Sequence, residues 1–110
     1  MKAKPLCLRD GVYSPCEPQA ATHVHLHLPG PLPNRIVPVR HLNTVAVTRP
    51  SWAWNGSVDL PTLSPSLLST GSDVSGDHLC HSFIQAGQVQ FLSDCSHSLA
   101  GQTVDLLDVD

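Results

Sequence analysis

The side chains best suited to chemistry are concentrated between positions 77 and 102. The cysteines and histidines of this stretch are Cys80, Cys95, His78, His81 and His97. Zinc in proteins is usually held by about four nitrogen or sulfur ligands in a tetrahedron. A Cys-x-His pair that faces a cysteine on a neighbouring strand can supply three of these ligands. The spacing therefore predicts a zinc site built from Cys80, Cys95 and His97.

The fourth zinc ligand has several candidates. Residues two apart on a strand share a face, so His78 projects to the same side as Cys80, whereas His81 points to the opposite face. His78 is therefore favoured over His81. A histidine from the alternating segment 23–27 is a third option.

Two other interpretations fit the same residues. Free cysteines are often small buried hydrophobic side chains, in which case Cys80 and Cys95 belong to the core without a metal. Alternatively, one of them is a nucleophile beside a histidine, and Asp94 orients that histidine. A serine-histidine-aspartate pattern, a glycine-rich phosphate loop and usefully spaced carboxylate pairs are not evident. The prediction for cofactors is therefore either none or zinc.

A hairpin must position these side chains. Alternating residue types predict strands over 80–85 and 88–92, joined by a two-residue turn at Ala86-Gly87. This register places Ile84 opposite Val89. It also brings Cys80 and Cys95 to the same side of the sheet.

Composition predicts a small β domain with many turns. The chain has 110 residues, of which 41% are hydrophobic and 14% charged, and it contains ten prolines and seven glycines. This combination disfavours long helices. We predict a mainly antiparallel β domain of about six short strands with one or two helical turns. Residues 1–20 are expected to form an extended N-terminal arm, and residues 21–110 a single domain.

Other segments have recognisable local patterns. Strict alternation over 21–28 predicts a half-buried strand, and β-branched runs at 35–39 and 44–48 predict a hairpin. Pro61 and Pro65 bracket a predicted edge strand, because an edge tolerates a missing N–H group. Further predictions are a loop at 70–77, a helical turn at 98–101 and a last strand at 103–106.

Charge and hydropathy exclude several classes of partner. The net charge is -3 with neutral histidines, and only six lysines and arginines are present. We therefore expect no binding to nucleic acid or to an anionic membrane surface. No apolar run approaches the ~20 residues that span a bilayer, and no signal-peptide core is seen. The expected location is a reducing cytoplasm, that of the host cell if a phage encodes the protein, where structural disulfides are rare.

Two tryptophans are candidates for a binding surface. Trp52 and Trp54 are two residues apart and are predicted to share one face of a short strand, with at least one ring substantially buried. If one ring is exposed, it could dock a protein partner. A base-stacking role is disfavoured because no basic groove accompanies the rings.

Four sequence blocks resemble a known protein family. They are Trp52-x-Trp54-Asn55-Gly56, Pro61-Thr62-x-x-Pro65-Ser66, Cys80-His81-Ser82-Phe83 and Asp94-Cys95-x-His97-x-Leu99-Ala100-Gly101. Together these blocks, within 51–106, are similar to small phage and prophage proteins of unknown function that often carry the label ammonia monooxygenase. The resemblance implies a phage context and a small β fold. The label does not fit this chain, because the sequence has no membrane segment and no copper-site pattern.

The resemblance also concerns the predicted zinc site. Many relatives have a Cys-Pro-x-Cys knuckle upstream, which implies a zinc site together with the later cysteines. This chain has Leu28 and Pro31 in place of the two knuckle cysteines. The turn is kept and both thiols are lost.

Two functional hypotheses follow. The first is a small non-catalytic phage-type accessory protein that binds a host or phage protein, for example to inhibit a bacterial defence system. The second is a zinc- or thiol-dependent enzyme centred on Cys80, Cys95 and His97. The oligomeric state is left open.

Overall fold

The computed structural model describes residues 1–30, 33–41, 51–74, 76–96 and 98–109. Within these ranges the chain forms nine strands and one 3-10 helix, Pro18–Ala20. The strands are β1 Ala3–Arg9, β2 Val12–Pro15, β3 His23–His27, β4 Asn34–His41, β5 Trp52–Trp54, β6 Leu63–Asp73, β7 Gly76–Gln85, β8 Gln88–Phe91 and β9 Thr103–Asp105. The predicted fold class, mainly β, is confirmed. The strand number is higher than the predicted six.

The strands form one sheet in the order β2-β1-β3-β4-β5-β6-β7-β8-β9. Every neighbouring pair is antiparallel except β4 and β5, which are parallel. The segment after β9 returns to β3, where the Leu107 N–H donates to the His27 carbonyl at 3.0 Å. The Val109 N–H likewise donates to the Met1 carbonyl at 2.8 Å. The sheet is therefore curled, and its two ends are tied around one core.

The core follows from the alternation of residue types along the strands. In β3, Val24 and Leu26 are buried, whereas the three histidines of the same strand are half-buried on the other face. The largest fully buried side chains include Trp54, Phe91 and Leu67. Burying a side chain of this kind contributes about 1.5–3 kcal/mol relative to exposure. Within the described residues, no helix has the length and apolar character that crossing a bilayer requires.

The hairpin of β7 and β8 has the predicted register. Ile84 pairs with Val89, and Gln85 pairs with Gln88. The turn residues Ala86 and Gly87 have φ angles of 49° and 78°. Both therefore lie in the left-handed region that a type I′ turn needs, although Ala86 carries a Cβ.

Several segment predictions need correction. β6 is not an edge strand, because it lies between β5 and β7. The segment predicted as a loop, 70–77, belongs mostly to the β6–β7 hairpin, in which Thr70 pairs with Leu79. Residues 98–101 form a turn without helix, closed by a hydrogen bond from the Gln102 N–H to the Leu99 carbonyl at 2.9 Å.

The N-terminal segment is part of the sheet. Residues 1–20, predicted as an arm, contain β1 and β2, and β1 pairs with β3 along four positions. The predicted strands over 21–28 and 35–39 correspond to β3 and β4. The predicted run 44–48 lies outside the described residues. Among the described residues, β4 forms its antiparallel hairpin with β3.

Candidate active site

Three polar side chains form a hydrogen-bonded row on the outer face of the sheet. The Ser66 Oγ lies 3.0 Å from His81 Nε2. The other ring nitrogen of His81, Nδ1, lies 3.2 Å from Asp94 Oδ2. Hydroxyl, imidazole and carboxylate thus meet in the order that serine hydrolases use. The sequence pattern alone did not reveal this arrangement of serine, histidine and aspartate.

A bulge in β6 presents Ser66. The pairing runs from Leu63 opposite Ile84 to Leu67 opposite Ser82, so the three residues 64–66 face Phe83 alone. Pro65 lies in this irregular stretch, where its missing N–H breaks no regular pair of the ladder. The indole Nε1 of Trp52 donates to the Ser66 carbonyl at 3.1 Å. Trp52 therefore fixes the backbone that carries the Ser66 hydroxyl.

Strand alternation on β7 presents His81. Its neighbours Cys80 and Ser82 are buried, with exposures of 4% and 1%, so the intervening side chain points outward. The His81 side chain is 29% exposed. The ring is therefore partly shielded and still reachable from solvent.

A turn after β8 presents Asp94. The Cys95 N–H donates to the Leu92 carbonyl at 3.1 Å, which closes the turn that contains Asp94. The Asp94 side chain is 58% exposed. Its carboxylate approaches the His81 ring from the side opposite to Ser66, because the two partners bind different ring nitrogens.

This row can activate a hydroxyl group for nucleophilic attack. A free serine hydroxyl is a weak nucleophile, and an adjacent imidazole activates it by accepting its proton. The carboxylate on the other ring nitrogen holds the tautomer in which Nε2 is the acceptor, and it stabilises the imidazolium that forms. The geometry therefore provides a nucleophile, a general base and an orienting group.

The surface around the row offers space for a substrate. Leu68 and Phe83, which lie on the two strands beside Ser66 and His81, are 58% and 42% exposed. A cavity of about 430 Å³ lies further along the same strands. Its lining consists of Thr70, Gly71, Ser72, Asp77, His78, Leu79 and Ser96. The row thus lies on an open face, with apolar side chains nearby and this cavity at one end.

The predicted zinc ligands separate into two groups. Cys80 and Cys95 are both buried on the inner side, and the two thiols are neighbours there. Burial, together with the Cys95 thiol, raises the pKa of Cys80 to about 11, so this thiol stays protonated at neutral pH. His81 belongs to the outer row, and His78 lines the cavity. His97 lies outside the described residues.

Zinc remains a prediction for this protein. Within the described ranges, no group of three or more histidine, cysteine, aspartate or glutamate side chains is placed to hold a metal ion. The cysteines of the structure are free thiols. A second thiol pair, Cys7 and Cys16, lies in the β1–β2 region with its sulfur atoms 2.7 Å apart.

The tryptophans share one face, as strand alternation requires. Trp54 is completely buried, and its Nε1 donates to the Ser57 carbonyl at 3.1 Å. It therefore has no exposed surface for a partner. Trp52 is half-buried and contacts the active-site row through the Ser66 carbonyl. A partner surface at Trp52 stays a prediction.

Sequence reasoning missed Ser66, and it assigned Asp94 only to a cysteine nucleophile. Ser66 is one serine among many, and its distance from His81 depends on a bulge that the pattern does not reveal. One signal was available. Each of three resembling blocks contains one member of the row: Pro65-Ser66, Cys80-His81 and Asp94-Cys95.

One family model matches the chain. It is described as BubE, bacterial ubiquitination-like system serine protease, and it matches residues 36–92, slightly more than half of the chain. The matched range contains Ser66 and His81 and ends two residues before Asp94. No curated protein and no solved structure matches the chain. The chain belongs to the BubE family of bacterial ubiquitination-like system serine proteases.

Proposed function

We propose that this protein is a serine protease whose nucleophile is Ser66, whose general base is His81 and whose orienting carboxylate is Asp94. The observation that carries the proposal is the pair of hydrogen bonds on the two nitrogens of one imidazole, 3.0 Å to Ser66 and 3.2 Å to Asp94. The family description supports it independently of the geometry, because it names a serine protease.

The first half of the reaction is acylation. The Ser66 Oγ attacks the carbonyl carbon of the scissile peptide bond, and its proton passes to His81 Nε2. The tetrahedral intermediate collapses when His81 returns this proton to the leaving nitrogen. The C–N bond breaks, an amine leaves, and an ester links Ser66 to the acyl part of the substrate. Asp94 stabilises the imidazolium ring of His81 while both ring nitrogens carry a proton.

The second half is deacylation. A water molecule gives a proton to His81 Nε2 and attacks the ester carbonyl. The ester bond then breaks, the carboxylic acid product leaves, and the proton on His81 returns to Ser66. The 58% exposure of Asp94 and the open face around the row leave room for this water.

We further propose that the substrate is a protein of a bacterial ubiquitination-like system. This follows from the family description and not from the shape of the cavity. The open surface suits a polypeptide better than a small molecule, because small-molecule sites usually enclose most of the ligand. Leu68 and Phe83 would contact side chains beside the scissile bond.

Covalent labelling tests the catalytic assignment. A fluorophosphonate probe should add one label per molecule, and peptide mapping should place it on Ser66. The Ser66→Ala and His81→Ala variants should lose the label. Ser64→Ala is the matched control, because Ser64 is an exposed serine of the same strand two positions away, and it should label normally. Labelling of Ser66→Ala equal to that of the unaltered protein would falsify the assignment.

The non-catalytic accessory hypothesis makes the opposite prediction. A pure binding protein, including an inhibitor of a defence system encoded by a phage, would not react with the probe at Ser66. It would also retain its biological effect in the Ser66→Ala variant. A cysteine enzyme centred on Cys80 or Cys95 would instead lose activity in Cys80→Ala or Cys95→Ala and react with thiol reagents.

Substrate class is tested separately. Candidate proteins from a ubiquitination-like system are incubated with the unaltered protein and with Ser66→Ala, and intact masses are compared. Cleavage by the unaltered protein alone would support the proposed substrate class. Cleavage of unrelated unfolded proteins at a similar rate would refute that class while leaving the catalytic assignment in place.

A further inference from the structure

The backbone N–H of His81 has no strand partner at the point where β8 ends. The last paired residue of β8 is Phe91, opposite Ser82. The next residue, Leu92, still donates its N–H to the His81 carbonyl at 2.9 Å. The chain then turns away through Ser93 and Asp94, so among the described residues no strand lies opposite the His81 N–H on this side.

The Cys95 thiol occupies the place of the missing strand. The His81 N–H donates to the Cys95 sulfur at 3.1 Å. The thiol itself donates to the His81 carbonyl, with a sulfur–oxygen distance of 3.0 Å. One side chain thus acts as both acceptor and donor toward the same residue, as a strand backbone would.

The following residue repeats this arrangement two positions along β7. The Leu79 N–H donates to Ser96 Oγ at 2.7 Å, and the Ser96 hydroxyl donates to the Leu79 carbonyl at 3.2 Å. The Ser96 N–H also donates to the Leu79 carbonyl at 3.0 Å. The segment that leaves β8 is therefore held against β7 by two consecutive side chains.

These contacts are made by the two residues that directly follow Asp94, which supplies the carboxylate of the row. Asp94 directly precedes Cys95, and its side chain is 58% exposed, so contacts of its own with the core cannot fix it. Its separation from the His81 ring depends on how firmly the turn is attached to β7. The Cys95 sulfur makes that attachment on the His81 backbone itself and is only 8% exposed.

We propose that Cys95, assisted by Ser96, is a positioning residue. The Cys95 thiol binds the backbone of His81 and thereby holds the Asp94 carboxylate next to Nδ1 of the His81 ring. This proposal rests on the proposed function of the Ser66–His81–Asp94 row. It assigns the thiol a part in proteolysis that involves neither a metal nor nucleophilic attack.

The test measures how fast a fluorophosphonate labels Ser66 in folded variants. Cys95→Ala removes both hydrogen bonds, and we expect labelling to slow about tenfold. Cys95→Ser keeps a donor and an acceptor and should recover most of the rate. Cys7→Ala is the matched control, because Cys7 is a thiol of similar exposure, 7%, that lies away from the site. It should change thermal stability without slowing the labelling.

A double variant separates positioning from general loss of structure. If Cys95 acts through Asp94, the variant Cys95→Ala/Asp94→Ala should label no more slowly than Asp94→Ala alone. If Cys95→Ala does not fold by circular dichroism, Ser96→Ala replaces it, with the same expectation and the same double variant. Full labelling rates in the single variant, or rate losses that multiply in the double variant, would overturn the proposal. Failure of the proposed function is recognised differently, since the unaltered protein would then carry no label on Ser66.

Discussion

Removal of the Asp94 carboxylate is the most informative single change in this protein. Asp94→Ala eliminates the group that lies 3.2 Å from His81 Nδ1 and leaves Ser66 and the imidazole in place. We expect the rate at which a fluorophosphonate labels Ser66 to fall. The reason is that the carboxylate acts on the charge that His81 acquires when it takes the proton from Ser66.

The size of the effect follows from distance and exposure. Two unit charges 3.2 Å apart attract by about 1.3 kcal/mol in bulk water and by about 5 kcal/mol at an effective dielectric constant of 20. The Asp94 side chain is 58% exposed, and that of His81 is 29% exposed, so the lower end of this interval applies. A value of about 2 kcal/mol corresponds to a loss of about 30-fold in rate. This loss is smaller than that expected for a buried carboxylate.

The assay is the time course of fluorophosphonate labelling, followed by intact mass, at low and high salt. Because the Asp94–His81 pair is exposed, high salt should reduce the difference between Asp94→Ala and the unaltered protein. The matched control is Asp105→Ala, which removes an equal charge from an exposed position on β9 that touches neither the row nor the cavity, and it should leave the rate within about twofold. Equal rates for Asp94→Ala and the unaltered protein would show that Asp94 plays no part in the reaction.

Three further predictions concern stability. Trp54→Ala should lower the free energy of unfolding by about 3–5 kcal/mol, measured by urea denaturation, because its ring is completely buried; a loss below 1 kcal/mol would contradict its place in the core. In the β7–β8 turn, Ala86→Gly should raise the melting temperature, because glycine adopts the positive φ at this position without strain. Gly87→Ala should lower the melting temperature, since the added Cβ would lie 3.1 Å from the Asp59 carbonyl oxygen. Changes of equal sign would refute the turn geometry. Burial raises the pKa of Cys80 from 9.0 to about 11, so between these values the unfolded chain releases a proton that the folded protein retains. Stability should therefore fall as the pH rises through this window, and Cys80→Ala should show a smaller fall in urea titrations at pH 8 and pH 10.5.

The local parts of the fold could be predicted from sequence. The β7–β8 register follows from alternating residue types and a two-residue turn, and this placed His81 on the face opposite to Cys80 correctly. The segment 70–77 was misjudged because glycine, serine and aspartate have low strand propensity. In this segment the pairing of β6 with β7 outweighs the low strand propensity, and Thr70 pairs with Leu79.

The candidate active site could be predicted only in part. His81 was predicted as a zinc ligand together with the cysteines. Asp94 was predicted as the group that orients a histidine beside a cysteine nucleophile. Ser66 was not distinguishable, since its approach to His81 requires the register shift between Leu63 and Leu67. Such a shift depends on how β6 fits the neighbouring strands and not on the local residue pattern.

The placement of Ser66, His81 and Asp94 on consecutive elements also has a kinetic consequence. The three side chains come from β6, β7 and the turn after β8, so only short chain segments must close before they can meet. The entropic cost of closing a loop rises with the logarithm of its length, and local contacts generally form faster than distant ones. The bridge between Leu107 and His27 of β3 requires a far longer loop. Refolding should therefore form the contacts among β6, β7 and β8 early and the contact between β3 and the segment after β9 as the slow event.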